Sequence, residues 1–242
     1  MNIQELSEQT LNEQALNEHL GDEGATWLAS AIAEVKRSSS AVTALFPAVS
    51  RRCGRAPLID GDEHGMLHGC VDDAIRALLL QAIGARGLEL SALVGELYRY
   101  GDAGEKRGVL RALHLLDEPL GVAGLGATLL PLVEDGLRTN DLRLVAAALQ
   151  EYGAKHLGQE AYRQAIVKCV FVGVPLSAIH RLRERQDAEL ARMLVDLAHE
   201  RIAADRAVPR DIRAVVSAFP DALNRPDLSA AIISSLTPRD TE

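Results

Sequence analysis

Apolar residues recur at three- and four-residue spacing from one end of this chain to the other, and no stretch alternates with period two. That rhythm lines apolar side chains along one stripe of a helix, whereas a half-buried strand needs alternation. Of the residues, 48% are hydrophobic but only 3% aromatic, so Leu, Ala and Val carry the apolar share. Such a mixture favours helix packed on helix over a β-sandwich. The expected fold is therefore all-α, with about a dozen helices joined by short turns. An irregular α-solenoid of HEAT-like stacked hairpins is the first architecture to consider, and a compact irregular bundle the second.

The pattern divides as follows. Helices are expected over residues 3–20, after Asp22, and from the serines at 38–40 to just before Gly54. Residues 57–69, with Asp60, Gly61, Asp62, Gly65 and Gly69, read as a loop. Helix resumes over 71–85 and 89–100. Asp102 followed by Glu105 forms a capping-box signature for a helix running to about residue 116. Further helices are expected over 122–137, 142–152, 160–172, 176–183, 188–206 and 209–219, the last with Pro209 in its opening turn, and one more after Pro226. No linker forces a division, so residues 1–236 read as one domain with 237–242 as a frayed tail.

Several function classes fall away. A net charge of −8 gives no basic surface for nucleic acid. The start, Met1-Asn-Ile-Gln-Glu-Leu-Ser-Glu8, is acidic and polar, unlike a secretory signal. The longest uncharged stretch, 119–133, is shorter than the roughly 20 residues a membrane helix needs. A soluble, cytoplasmic protein is the expectation. Cys53, Cys70 and Cys169 are odd in number and far apart, which argues against a disulfide framework. His199-Glu200 opens like a zincin helix, but Ala203 stands where the second histidine is needed. Gly124-Leu-Gly126 lacks the third glycine of a dinucleotide loop. No nucleophile elbow or Walker loop is present. His64, His68 and Cys70 lie within seven residues, but Gly65 and Gly69 oppose the helix that would align them. They read as a polar loop, and neither a metal nor a cofactor is expected.

The sharper signals are charges in apolar surroundings. In 188–206 the residues Leu190, Leu194, Leu197 and Ala198 define a stripe, and Arg201 falls within it. A buried guanidinium needs a partner, and Asp205 is one turn away. Two readings stay open: a salt bridge fastening helices, or an anion clamp with Glu200 and Arg206 beside it. Lys168 is the one charge in the run 165–176. It either reaches solvent along its stem or, if buried, becomes a candidate base or Schiff-base amine. Between His180 and Arg213 eight arginines interleave with seven acids, which reads as a solvated helix surface.

From Gly101 onward short blocks recur in an order that resembles the EboA-domain family. They are Glu105-Lys-Arg107 with Leu110-Arg-Ala-Leu113, Leu137-Arg-Thr-Asn140, Val167-Lys-Cys-Val-Phe171, and Glu189 to Ala198 continuing through Glu200-Arg201, Arg206 and Val208-Pro209. The likeness covers about the last 140 residues, and the earlier part matches in general character. Departures lie at residues 151–156 and 161–164, at Ile202 and at Asp205. The resemblance adds Arg138 and Asn140 to the candidate binding residues. It implies a place in bacterial secondary-metabolite gene clusters, handling or exporting a metabolite precursor, and brings no established catalytic residues. Two readings follow: a non-catalytic accessory protein that binds a cluster metabolite or protein partner, or a cofactor-independent cyclase, isomerase or lyase using Lys168, Glu200, Arg201 and Arg206.

Overall fold

The computed structural model describes residues 16, 19–117, 125–226, 228 and 236. The described residues are helical and contain no strand; the single β-type pairing is an isolated antiparallel bridge between Pro57 and Cys70. No described helix is long and apolar enough to cross a membrane. The chain divides into two compact units, Met1–His156 and Leu157–Glu242. Most of the helices expected near the two ends, over 3–20 and after Pro226, lie outside the described residues.

In the first unit, α1 (Asp22–Arg37) opens with Asp22 and Glu23 and closes with Lys36 and Arg37, the arrangement that complements a helix dipole. Its buried stripe is Gly24, Leu28, Ala31 and Val35. The helix expected from 38 to 53 is broken into α2 (Val42–Leu45) and α3 (Val49–Cys53) by a 3-10 turn over Phe46–Ala48. Pro47, which has no N–H to donate, sits in that turn. Then come α4 (Val71–Gln81), α5 (Gly87–Tyr100) and α6 (Ala103–Asp117). The capping box at the start of α6 is formed: the Glu105 amide donates to Asp102 Oδ1 at 2.8 Å, and the Asp102 amide to Glu105 Oε2 at 3.2 Å. The unit continues with α7 (Leu130–Arg138), α8 (Leu142–Ala148) and α9 (Glu151–His156). Asp141 caps α8 through the Arg143 amide at 2.9 Å. The expected 142–152 helix is interrupted at Leu149, whose φ of −102° and ψ of 18° are not helical.

Helices α4 and α6 are the central pair of this unit. Ile75 and Leu79 from α4 and Val109 and Leu113 from α6 are fully buried. Each such side chain contributes roughly 1.5–3 kcal/mol of burial. The 57–69 segment is a loop, as expected, but an organised one. Leu58 donates to the Gly69 carbonyl and Val71 to the Ala56 carbonyl. Inside it, the buried Asp62 carboxylate accepts from the amides of Leu67 at 3.0 Å and His68 at 2.7 Å.

The second unit contains α10 (Gln159–Val172), α11 (Leu182–Arg185), α12 (Ala188–Ala203) and α13 (Ile212–Ala218). Asp187 caps α12 through the Leu190 amide and receives Arg163 through Nε and Nη2. Gly173, at φ 92°, closes α10 with its amide on the Cys169 carbonyl. Two expectations shift here. α12 stops at Ala203 rather than 206, because Asp205 turns into the left-handed region at φ 54°. Pro209 lies before α13 rather than within it; Asp211 is the residue preceding the helix, and its carboxylate accepts from the Leu176 amide at 2.9 Å.

Candidate functional site

Ionised groups are buried where α4 meets α6. The first turn of α4 supplies Asp72 and Asp73, the next turn Arg76, and α6 supplies Arg107; each is at most 6% exposed. Arg76 Nη1 donates to Asp72 Oδ2 at 2.7 Å, and Arg76 Nη2 to Ser50 Oγ at 2.8 Å. The Ser50 hydroxyl in turn donates to Asp72 Oδ2 at 2.9 Å. Arg107 spans both acids, with Nε 2.8 Å from Asp73 Oδ1 and Nη2 3.1 Å from Asp72 Oδ1. The remaining Asp73 oxygen accepts the Cys70 amide at 3.0 Å. Two carboxylates and two guanidiniums thus neutralise one another, which a low-dielectric interior requires.

Local sequence explains the arrangement. Asp72 and Asp73 favour a helix N-terminus, and Asp72 and Arg76 are one turn apart on the same face. Gly104 and Gly108 clear the facing side of α6, so Arg76 lies across it and reaches the Gly104 carbonyl. The Arg76 guanidinium also sits 5.4 Å from the centre of the buried Phe46 ring. Burial alone would push Arg107 toward losing its proton; the Asp73 carboxylate outweighs that and holds it more firmly cationic than usual. Burial raises the Asp73 carboxyl, and Arg107 opposes the rise.

Above this network lies an open cleft of about 410 Å³. Its floor includes Cys70, Asp72, Gly104 and Arg107, and its rim Arg55, His64, Asp102 and Arg143. Arg143 is held by Asp141, with Nε at 3.1 Å and Nη2 at 2.8 Å. Arg111 fastens the 57–69 loop to α6 by donating to the Leu67 carbonyl at 3.0 Å. Cys70 does not resemble a nucleophile: burial raises its pKa, and its thiol points to the His64 carbonyl at 3.7 Å.

The three residues flagged in this loop separate. Cys70 is on the cleft floor, His64 is exposed at the rim with Nε2 3.5 Å from Glu63, and His68 is exposed. A sulfur from Cys70 and carboxylate oxygens from Asp72 and Asp73 do fall within 4.8 Å of one another. Every one of those carboxylate oxygens already accepts a hydrogen bond, and Arg76 and Arg107 already balance the charge of the two carboxylates.

The charges expected to carry function lie elsewhere. Glu200 and Arg201 are on the last turns of α12, with Asp205 and Arg206 in the turn beyond it. Arg201 is half-buried, not sunk in a seam, and its Nε donates to the Ala207 carbonyl at 2.7 Å rather than to Asp205. Glu200, Asp205 and Arg206 are exposed. Lys168 is half-buried on α10. In the first unit, Arg138 is exposed and 3.9 Å from Glu134, and Asn140 is exposed in the turn before α8. A second cavity, of about 800 Å³, lies in the second unit among Leu176, Ile179, Leu182, Arg183 and Val215. Neither cavity is lined by any of those seven residues.

Residues 8–217 match the model of a protein family described as metabolite traffic protein EboA. The match reaches back through α4 and the loop before it, well beyond the blocks legible from Gly101 onward. No curated protein and no solved structure matches the chain.

Proposed function

The chain belongs to the EboA family, and from that premise we propose that it is a non-catalytic carrier or accessory protein that binds a small metabolite in the cleft above the α4–α6 ion network. The family's description as metabolite traffic proteins supports handling rather than conversion. One observation carries the choice of site: Asp72 and Arg107 belong to a buried, internally neutralised network and also line an open cleft. Buried ion pairs are a poor source of stability compared with apolar packing, so their presence under a cleft fits recognition better than structure. Handling a precursor in secondary metabolism, with a protein partner of the same gene cluster receiving it, is the role that suits such a site.

Cargo should leave the protein as it entered. The full chain is incubated with the low-mass fraction of a cell extract, washed, denatured, and the released compounds are identified by mass spectrometry. A compound retained by the wild type, lost in Ala103→Trp, and released unaltered supports the proposal. Equal retention by Ala103→Trp, or release of a chemically changed compound, contradicts it. Ala103 is exposed on the cleft wall, so an indole there fills the space without entering the core.

A further inference from the structure

We infer that the ligand of this cleft is a small oxyanion, a carboxylate or a phosphate monoester, a class that rests on the cleft being the metabolite site proposed above. Asp72 and Asp73 spend their oxygens inward, on Arg76, Ser50, Arg107 and the Cys70 amide. The guanidiniums do not spend their N–H groups in the same way.

Arg107 commits Nε and Nη2 to the two carboxylates. Its Nη1 has no acceptor among the described residues, although only 7% of the side chain is exposed and the residue lines the cleft. Arg143 commits Nε and Nη2 to Asp141, and among the described residues its Nη1 has no acceptor. Arg55, at the rim, has no acceptor among the described residues. Ala103 and Gly104 line the same space as the first residues of the fifteen-residue helix α6, where amides have no acceptor within the helix and the dipole favours negative charge. A ligand here meets N–H groups in excess of open acceptors and must bring oxygen acceptors of its own. The chain as a whole carries −8, so it does not draw anions by its net charge; the selection is local.

Asp102 refines the class. Its Oδ1 accepts the Glu105 amide, and Oδ2 faces no protein donor among the described residues. At the rim it suits a hydroxyl of the ligand, as in a hydroxy acid or a sugar phosphate.

The test is an NMR titration of the full chain with methyl phosphate, acetate and glycerol at constant ionic strength. Saturable shifts are expected at the Ala103 and Gly104 amides and at the guanidinium N–H signals of Arg107 with an anion, and the tighter of the two anions identifies the head group. Arg55→Ala, at the exposed rim, and Arg143→Ala should each weaken that binding about tenfold, the loss of one charge-assisted contact. Saturation by glycerol with neither anion responding overturns the oxyanion class while leaving the cleft as the metabolite site. Absence of shifts at those groups with all three probes, or unchanged affinity in both variants, also overturns it. Failure of the site itself shows separately, as a retained compound that Ala103→Trp does not displace.

Discussion

Gly108 on α6 is where Arg76 of α4 crosses: a Cβ built at position 108 would stand 2.6 Å from Arg76 Cδ and 3.2 Å from its Cβ. Those atoms are the stem of a buried side chain whose tip is held, Nη1 by Asp72 and Nη2 by Ser50, so they have little freedom to swing aside. Gly108→Ala should therefore destabilise the protein by about 1–3 kcal/mol from overpacking, against a gain of up to ~1 kcal/mol in helix propensity. Gly95, on α5, is the control, because nothing lies within 4 Å of its added Cβ. Gly95→Ala should be neutral or stabilising by up to ~1 kcal/mol. Urea unfolding of the two variants beside the wild type measures both.

Removing one member of the ion network should cost more than removing a pair. Arg107→Met leaves Asp73 and Asp72 buried with one partner fewer, and a loss of about 3–5 kcal/mol is expected. Adding Asp73→Asn to Arg107→Met should recover part of that loss, since the amide keeps an acceptor for Cys70 without a charge. A double-mutant cycle by chemical denaturation reads the coupling.

In the second unit, hydrogen bonds from Arg163 lower the Asp187 pKa from 3.8 to about 2. A depressed carboxyl stabilises the fold fully above its unfolded value and loses that contribution as pH falls through the folded value. The window is thus between about pH 4 and pH 2. The pair is partly exposed, so the effect is on the order of 1 kcal/mol or less. Asp187→Asn keeps the helix cap, and its stability deficit should shrink as the pH is lowered across that window. Denaturation midpoints from pH 5 to pH 2 check the sign.

All three thiols are buried, and burial raises each pKa, Cys169 to about 12. Thiolate, the reactive form, is therefore scarce at neutral pH. Native protein should react with Ellman's reagent far more slowly than free cysteine, and release three equivalents only in denaturant. Rapid modification of Cys70 in the native state would contradict the geometry of the cleft floor.

What could be read in the sequence was local. The capping box of Asp102 and Glu105 is a four-residue pattern with a fixed meaning, and the helix it opens is present. The all-α class follows from periodicity alone. The ion network was not legible for the same reason: Asp72 and Asp73 look like ordinary first-turn acids, and Arg107 like a solvated helix residue, until α4 and α6 are placed face to face. The available signal was Gly104 and Gly108, one turn apart and flanking Arg107, marking a face of α6 open to close approach. Arg201 illustrates the converse. A helical wheel places it on the buried stripe, but the helix ends two residues later, and a stripe near a terminus has less to cover it.

The site is tested most directly by a crystal structure of the full chain bound to the compound it retains from a cell extract. The account predicts density for that compound in the cleft, with an anionic group against Arg107 Nη1 and the Ala103 and Gly104 amides, and Arg55 and Arg143 closing on it. Density in the cavity beside Leu176 and Val215, or at Lys168 and Arg201, with the cleft above Asp72 empty, would contradict it.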